Sequence, residues 1–323
     1  MLPVIIPQEL AGLRLDVALA RVAEISRGAA RRAIDAGGVF IDGRRERTQA
    51  HPVSAGAELR WTLAAPTVEA REFDLDVVHE DDRWLIVCKP PGLPTVPGPT
   101  GGDSLLGRVQ ALQRGQGRPQ LAESHRLDRE TSGLLCFGRH PDAVAAFDRA
   151  LARRQVGRGY LALVRCLRPP VAQRIEAPLR PAAHAGVEVH PCGQPAATRA
   201  LPLAFDAERA VALVAITLET GRSHQARAHL SYALGPIVGD QRYGDSLAAE
   251  ARAGLAAPRV ALHSARLGMR DPATGVARSW QRAPDAGYFQ LAGWEQPLPA
   301  TWAAILRELG RGDFEPERAL AAT

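Results

Sequence analysis

Residues 124–135 read SHRLDRETSGLL, and this stretch holds the densest chemistry in the chain. It places one acid, Asp128, between two arginines, then a small polar turn at 131–133, and then the start of an apolar strand. A carboxylate in positive surroundings stays ionised, because neighbouring positive charge favours its charged form. From this chemistry alone Asp128 is a nucleophile, a base, a spacer that repels phosphate, or one half of a structural ion pair.

A second polar stretch, at 219–230, reads ETGRSHQARAHL. Arg222 lies in a glycine-containing turn, and His224 and Arg227 are neighbours at three-residue spacing. A metal site on His224 and His229 is excluded by the spacing, because a step of five residues carries the second ligand past the shared helical face. Two histidines that form ordinary hydrogen bonds are the simpler interpretation.

The overall composition is that of a globular protein with about two domains, since 323 residues carry 46% apolar and 23% charged side chains. No run approaches the ~18 apolar residues of a membrane span, and the start of the chain, MLPVIIP, lacks a basic leader. The four cysteines are far apart and form no Cys-x-x-Cys pair, which argues against disulfides and structural zinc. These features together lead us to expect a cytoplasmic protein. No Walker loop, dinucleotide fingerprint or Gly-x-Ser-x-Gly motif is present, so we expect cofactor-free chemistry.

Basic residues are unevenly distributed. The formal net charge is +5, and residues 101–180 hold 14 basic and 7 acidic side chains, whereas residues 66–100 hold 3 and 7. A polyanion would therefore bind to the middle of the chain. Lys89 is the single lysine among 40 basic residues.

The N-terminal residues predict a small module of two helices and a hairpin. Ser26 is placed to cap a second helix over 27–36, and Asp42-Gly43 is a strong hairpin turn after a strand at 39–41. Arg27 and Arg31 lie on the second helix, where a solvated face is the alternative to an RNA contact. The pattern resembles the S4-like RNA-binding module, which implies that residues 1–65 present a basic surface to structured RNA.

The rest of the chain mixes strands and helices without βαβ alternation, which favours an α+β fold. A hairpin is predicted over 77–88, and the prolines after Lys89 must leave the sheet. The sequence further predicts strands at 133–137, 159–164, 211–218 and 260–262, and helices at 142–153 and 225–234. We predict three parts: the module at 1–65, a linker at 66–76 and a larger domain at 77–323.

Several motifs together resemble the RluA family of RNA pseudouridine synthases. The resemblance covers most of residues 12–285, with the family's order and spacing throughout. Its motifs are HRLD at 125–128 with TSG at 131–133, GRSHQAR at 221–227, GD at 239–240, KPPG at 89–92, VGRGYLALV at 156–164, GQPAAT at 193–198 and LHS at 262–264. The resemblance implies a catalytic domain with a mixed, largely antiparallel central sheet. It also implies an isomerase that converts uridine to pseudouridine in RNA without a cofactor or a metal.

The resemblance assigns roles to individual residues. Asp128 corresponds to the family's essential aspartate, acting as a nucleophile on the sugar or as a base that begins a glycal pathway. Arg227 pairs with it, and Tyr160 stacks on the target uracil and is a candidate to assist proton removal at carbon 5. Arg126 would fill the space left by a flipped base. Lys89 is predicted to contact the RNA by shaping or charging the cleft, and the alternative is that it only anchors a loop. The other predicted RNA contacts are Arg129, Arg222, His224, Arg27 and Arg31.

Three functional alternatives stay open at this point. We expect a monomer, without membrane contact, that modifies specific uridines in large-subunit ribosomal RNA or, alternatively, in transfer RNA. A non-catalytic RNA-binding factor in ribosome assembly would use the same surface, although the intact Asp128, Tyr160 and Arg227 argue against it. A metal-dependent nuclease would need paired acids around Asp128, and Glu130 is the only near one.

Overall fold

A computed structural model of the chain describes residues 3–35, 38–46, 48–61, 75–98, 101–117, 121–182, 186–244, 259–271, 274–285 and 287–294. The chain divides into two units, one of residues 1–74 with 93–121 and the other of residues 75–92 with 122–323. Within the described ranges, no helix is long and apolar enough to cross a membrane. Most of the predicted linker at 66–76 lies outside these ranges, so the three boundaries proposed from sequence stay predictions.

The first unit contains a small antiparallel sheet and two helices. The sheet order is β1-β4-β2-β3. The elements are β1 (Val4–Ile5), α1 (Leu15–Val22), α2 (Arg27–Asp35), β2 (Val39–Ile41), β3 (Arg44–Arg45) and β4 (Glu58–Trp61). Its core is apolar, with Leu15, Leu19, Ile34 and Leu59 fully buried.

Capping and turn residues in the local sequence determine where two of these elements begin and end. The Ser26 hydroxyl accepts a hydrogen bond from the Ala29 amide at 3.2 Å, which caps α2 where the sequence predicts its start. Asp42 and Gly43 both have positive φ, 49° and 73°, as a two-residue hairpin between β2 and β3 requires. The same unit holds α3 (Leu105–Gly115), capped by Ser104, which the sequence analysis did not predict.

The second unit is built on a ten-stranded sheet. Its main path runs β10-β13-β14-β9-β15-β8-β6-β5, with β16 paired to β15 and β7 to β8. The strands are β5 (Val77–Glu80), β6 (Trp84–Lys89), β7 (Ala122–Glu123), β8 (Ser132–Gly138), β9 (Val156–Arg165), β10 (Gln173–Glu176), β13 (Ala197–Asp206), β14 (Val211–Leu218), β15 (Leu262–Arg270) and β16 (Ala277–Gln281). A separate hairpin joins β11 (Leu179–Pro181) and β12 (Val187–Val189), and the helices are α4 (Pro141–Ala152), α5 (Gln225–Ala233) and α6 (Gly287–Gln290).

The sheet is mixed and largely antiparallel, as the resemblance implied, because only β8 and β15 pair in parallel among the ladders of the described strands. The fold class α+β is confirmed. All seven residues of β8 are buried, and on one face of the sheet Trp84 and Leu134 pack with Phe147 of α4. A strand covered on both faces is apolar throughout and does not alternate.

The parallel pair depends on one glycine. Gly133 has φ +107°, and a Cβ at this position would lie 2.3 Å from the carbonyl oxygen of Ser264 on β15. Only glycine permits this approach of the two backbones. The turn that carries Asp128 thereby leads directly into the centre of the sheet.

Some elements differ from the sequence prediction. The strand expected at 260–262 runs instead over Leu262–Arg270, where pairing with both β9 and β16 extends it. The predicted helices at 142–153 and 225–234 are present as α4 and α5.

Candidate active site

Asp128 lies at the turn that connects β7 to β8. Its carbonyl oxygen accepts a hydrogen bond from the Thr131 amide at 3.1 Å, and the preceding Leu127 is buried and anchors the turn. The Asp128 carboxylate is 26% exposed and lines an open cleft of about 460 Å³. The turn therefore holds one carboxylate partly accessible in an otherwise packed sheet.

Arg227 faces this carboxylate from the first turn of α5. Its Nη1 lies 3.4 Å from the Asp128 Oδ2. Its other two nitrogens bind Asp240, with Nε 2.7 Å from Oδ2 and Nη2 2.8 Å from Oδ1. Burial opposes the charge of Arg227, but the hydrogen bonds and negative charges of Asp240 and Asp128 together outweigh it and raise the pKa of the guanidinium above its ordinary value. Arg227 is thus a fixed cation.

Asp240 completes this ion pair, although the sequence analysis gave it no role. It is completely buried and also accepts hydrogen bonds from the backbone amides of Arg242 and Tyr243, at 3.1 and 3.2 Å. The available signal was its place in the GD motif at 239–240, in a polar turn after an apolar stretch.

His224 approaches Asp128 from the other side of the carboxylate. Its Nε2 lies 3.8 Å from the Asp128 Oδ1, and its Nδ1 lies 3.0 Å from the Tyr243 hydroxyl. Burial lowers the pKa of His224, an effect that the nearby Asp128 opposes. The Tyr243 ring also packs against the guanidinium of Arg227, with 5.1 Å between the guanidinium carbon and the ring centre. Sequence reasoning did not find Tyr243, because its contacts come from three separate segments.

Tyr160 lies on β9 at the centre of the sheet, paired with Ile216 on one side and Ser264 on the other. It lines the same cleft and is 5% exposed. Burial raises the pKa of its phenol, so the group stays protonated near neutral pH. A protonated phenol presents an aromatic face and a hydroxyl to the cleft but is a poor base.

Arg158 adds a cation to the wall of the cleft. Its Nη2 donates to the carbonyl of Thr220 at 3.1 Å, and burial lowers the pKa of its guanidinium. Gly221 packs beside it, and a Cβ there would lie 2.7 Å from the Arg158 Nη1 and would displace the guanidinium. In the sequence, Arg158 stood out only as a member of the VGRGYLALV motif at 156–164.

Three further predicted arginines lie near the cleft. Arg126 and Arg222 are exposed and line it, and the Arg222 Nε donates to the Pro195 carbonyl at 3.3 Å. Arg129 is 70% exposed and pairs with Glu130 at 3.1 Å. The cleft is therefore bordered by exposed positive charge, which suits a polyanionic substrate.

Lys89 is placed differently from the prediction. Its side chain is completely buried, and its ammonium donates to the carbonyls of Pro90 and Arg129, both at 2.9 Å. Burial lowers its pKa to about 8. Because Arg129 follows Asp128 in the sequence, the hydrogen bond to its carbonyl fixes the turn that carries Asp128. Lys89 is an anchor of the turn and not a surface contact for RNA.

Arg27 and Arg31, in the first unit, share one buried acid. Their Nε atoms each donate to the Asp16 Oδ2 at 2.9 Å, and the Arg14 Nε donates to Oδ1 at 3.1 Å. Burial would raise the pKa of Asp16, but the three arginines hold it well below its usual range. The arginine side chains remain 45–49% exposed. One carboxylate therefore arranges three cations on one surface.

Comparison with known proteins finds two family models that match the chain. The model of the RNA pseudouridylate synthase family matches residues 83–232, and the S4 domain model matches residues 13–59. A relative from Chloroflexus aurantiacus, described as an uncharacterized RNA pseudouridine synthase, is 35% identical over 318 residues that cover 95% of this chain and 93% of the relative.

Two further similarities extend the comparison. The ribosomal large subunit pseudouridine synthase D of Nitrosomonas europaea is 33% identical over 323 residues, which cover 94% of this chain and 86% of that protein. The solved structure of human RNA pseudouridylate synthase domain containing 1 has a TM-score of 0.60 at 22% identity. The similarity covers 74% of this chain and 95% of that chain, so the two proteins share a fold. The chain is an RNA-modifying isomerase that belongs to the RluA family of RNA pseudouridine synthases and carries an S4 domain.

Proposed function

We propose that the protein converts specific uridines of large-subunit ribosomal RNA to pseudouridine, with Asp128 as the essential carboxylate. The observation that carries this proposal is the placement of Asp128 in an open cleft, 3.4 Å from the fixed cation of Arg227. The choice of RNA is supported by relatives named for the large ribosomal subunit, one of them 33% identical over most of its length.

The reaction moves the ribose from one ring atom of uracil to another. The bond between the ribose C1′ and the uracil N1 breaks, the base rotates, a bond forms between C1′ and C5, and the C5 proton leaves while N1 takes up a proton. Asp128 begins this sequence by attacking C1′ or by removing the C2′ proton. Both routes need an ionised carboxylate, and the charge-assisted contact with Arg227 supports that state.

Tyr160 and Arg126 support the handling of the base. The protonated phenol of Tyr160 offers a flat partner for uracil inside the cleft. A base in a helical stem must leave the stack before it reacts, which costs a few kcal/mol. Arg126 is exposed and lines the same cleft as Tyr160, so its side chain is available to occupy the vacated space.

The S4 domain gives the enzyme a second contact with RNA. Arg14, Arg27 and Arg31 are arranged by Asp16 and half exposed, so they can neutralise phosphates without large rearrangement. We infer that this surface helps to select the site of modification. Deletion of residues 1–65 should weaken RNA binding or change the modified site, and the chemistry should remain.

The test uses purified full-length protein and transcribed large-subunit RNA tritiated at uridine C5. Isomerisation replaces the C5 hydrogen by carbon, so tritium release measures turnover. Asp128→Asn should abolish release while RNA affinity stays within a few-fold of wild type. Asp142→Asn is the matched control, because Asp142 is 70% exposed on α4 and does not line the cleft.

Two results would overturn the proposal. Wild-type turnover by Asp128→Asn would remove the essential role of the carboxylate. Release from transfer RNA transcripts in preference to ribosomal RNA would replace the substrate, and release from no RNA would favour a binding factor in ribosome assembly.

A further inference from the structure

A chain of three groups leads from the β11–β12 hairpin to Asp128. The Val187 amide donates to the Tyr243 hydroxyl oxygen at 2.9 Å, and this oxygen lies 3.0 Å from the His224 Nδ1. The opposite ring nitrogen, Nε2, lies 3.8 Å from the Asp128 Oδ1. The backbone of a hairpin is thus connected to the carboxylate through two side chains.

The hydrogen positions in this chain can be deduced. The Tyr243 oxygen accepts the Val187 amide hydrogen, so its own single hydrogen must be donated elsewhere. Within the described ranges, the His224 Nδ1 is the acceptor that lies within hydrogen-bond distance of the phenol. Burial raises the pKa of Tyr243, which keeps this hydrogen on the phenol. His224 Nδ1 is then an acceptor, and a neutral ring carries its proton on Nε2.

We propose that Tyr243 fixes His224 as the neutral Nε2–H tautomer and that this N–H is a second donor to the Asp128 carboxylate. His224 is then a positioning residue for Asp128, and Tyr243 is a positioning residue for His224. The inference rests on the proposed role of Asp128 in catalysis.

The geometry around His224 restricts its ring to this orientation. Its backbone has φ +51°, in the left-handed region, directly before α5. Its ring meets the Tyr243 ring edge to face, at 79° and 5.7 Å between centres. The charged groups that act on it are Asp128, Arg227, Arg242 and Asp240, two acids and two arginines. The separation of 3.8 Å is longer than a hydrogen bond, and such contacts in catalytic sites commonly tighten when substrate binds.

A neutral second donor would serve the chemistry. Arg227 faces the Oδ2 and His224 faces the Oδ1, so the two contacts together define the plane of the carboxylate. A second full positive charge would stabilise the carboxylate further and make it a weaker nucleophile or base. An uncharged N–H orients Asp128 without that cost.

The first test measures the tautomer directly. Long-range proton–nitrogen correlation spectra of the full chain labelled with ¹⁵N-histidine distinguish Nε2–H from Nδ1–H, and His224→Gln identifies the His224 signals by their loss. Wild type should show the Nε2–H form at neutral pH, and Tyr243→Phe should shift the ring toward a mixture of tautomers. Tyr232→Phe is the matched control, since Tyr232 is 66% exposed and lies on α5, the helix that follows His224. An Nδ1–H wild type, or an unchanged spectrum in Tyr243→Phe, would overturn the proposal.

The second test measures turnover by tritium release. His224→Leu removes the donor and should lower kcat by about tenfold to a hundredfold with little change in KM for RNA, the effect of one hydrogen bond to a charged group. His224→Gln places an amide N–H near the position of Nε2 and should restore most of the rate. Both variants carry the same backbone cost at position 224, so their difference reports the donor. Equal rates in the two variants would contradict the inference.

The two proposals can fail separately. If Asp128→Asn retains full turnover, the proposed function fails, whereas the tautomer measurement still tests the contact between Tyr243 and His224. If Asp128→Asn is inactive and His224→Leu turns over at the wild-type rate, only the present inference fails.

Discussion

Arg227 and Asp240 form a two-pronged ion pair, with hydrogen bonds of 2.7 and 2.8 Å, that leaves only the Nη1 of the guanidinium to face Asp128. Asp240 is completely buried and does not line the cleft, yet it sets the direction of the cation that does. The position of the Arg227 charge therefore depends on a buried residue outside the cleft.

Replacement of this buried acid tests that dependence. Asp240→Asn should lower kcat and reduce the free energy of unfolding by roughly 3 kcal/mol, because removal of one partner leaves a buried charge poorly compensated. Tritium release and urea denaturation measure the two effects. Asp206→Asn breaks another aspartate–arginine pair outside the cleft, in which Asp206 is 8% and Arg209 41% exposed, and should destabilise without lowering kcat. Equal kcat losses in the two variants would show that stability alone is responsible.

Lys89 offers a test of the anchored turn. Lys89→Met removes the donor to the carbonyls of Pro90 and Arg129 and should cost about 1 to 3 kcal/mol of stability. We expect a lower kcat, since the turn that carries Asp128 loosens, with unchanged salt dependence of RNA binding. A phosphate contact would instead reduce the slope of log affinity against log salt by about 1 when removed, and that result would restore the original prediction for Lys89.

The arginines around Asp16 should act on RNA binding and on the stability of the first unit, and not on the chemistry. The double change Arg27→Ala and Arg31→Ala should weaken RNA affinity and reduce the salt slope by about 1 to 2, because two phosphate contacts are lost. The kcat at saturating RNA should stay the same. Arg149→Ala, an exposed arginine on α4, is the control. Salt dependence unchanged from wild type in the double variant would remove these residues from the RNA interface.

The buried His263 on β15 should make the stability of the second unit sensitive to acid. It is 1% exposed, and burial lowers its pKa from 6.5 to about 4. The unfolded chain therefore binds a proton in a pH range where the folded unit does not, so stability falls as the pH falls from 6.5 toward 4. The full loss is about 3 kcal/mol.

Denaturant titrations across this pH range measure that loss. His263→Gln, which can still contact Ser132 and the Arg282 carbonyl, should show a shallower pH dependence, whereas the exposed His140→Gln should behave as wild type. The same slope in His263→Gln and wild type would contradict the assignment.

Sequence reasoning succeeded where the signal was local. Ser26 and the Asp42-Gly43 turn specify their own backbone geometry, so α2 and the first hairpin were placed within a residue or two. The motif around Asp128 and the helix that carries Arg227 were also found, and the structure brings these two residues to 3.4 Å.

The elements that were missed depend on distant partners. The length of β15 is set by its pairing with β9 and β16, which no local pattern encodes. Tyr243 gains its importance from Val187, His224 and Arg227, three residues that meet only in the folded unit. Lys89 was predicted to contact RNA at the cleft, and only the fold shows the two carbonyls to which its buried ammonium donates.

Isomerisation of ribosomal uridines through Asp128 is tested most directly by a map of pseudouridine across total RNA from cells with and without this gene. A chemical adduct that stops reverse transcription at pseudouridine marks each modified position. We expect one or more signals in large-subunit ribosomal RNA to disappear without the gene. These signals should return with the wild-type protein but not with Asp128→Asn. Restoration by Asp128→Asn, or no lost signal in any RNA, would contradict this expectation.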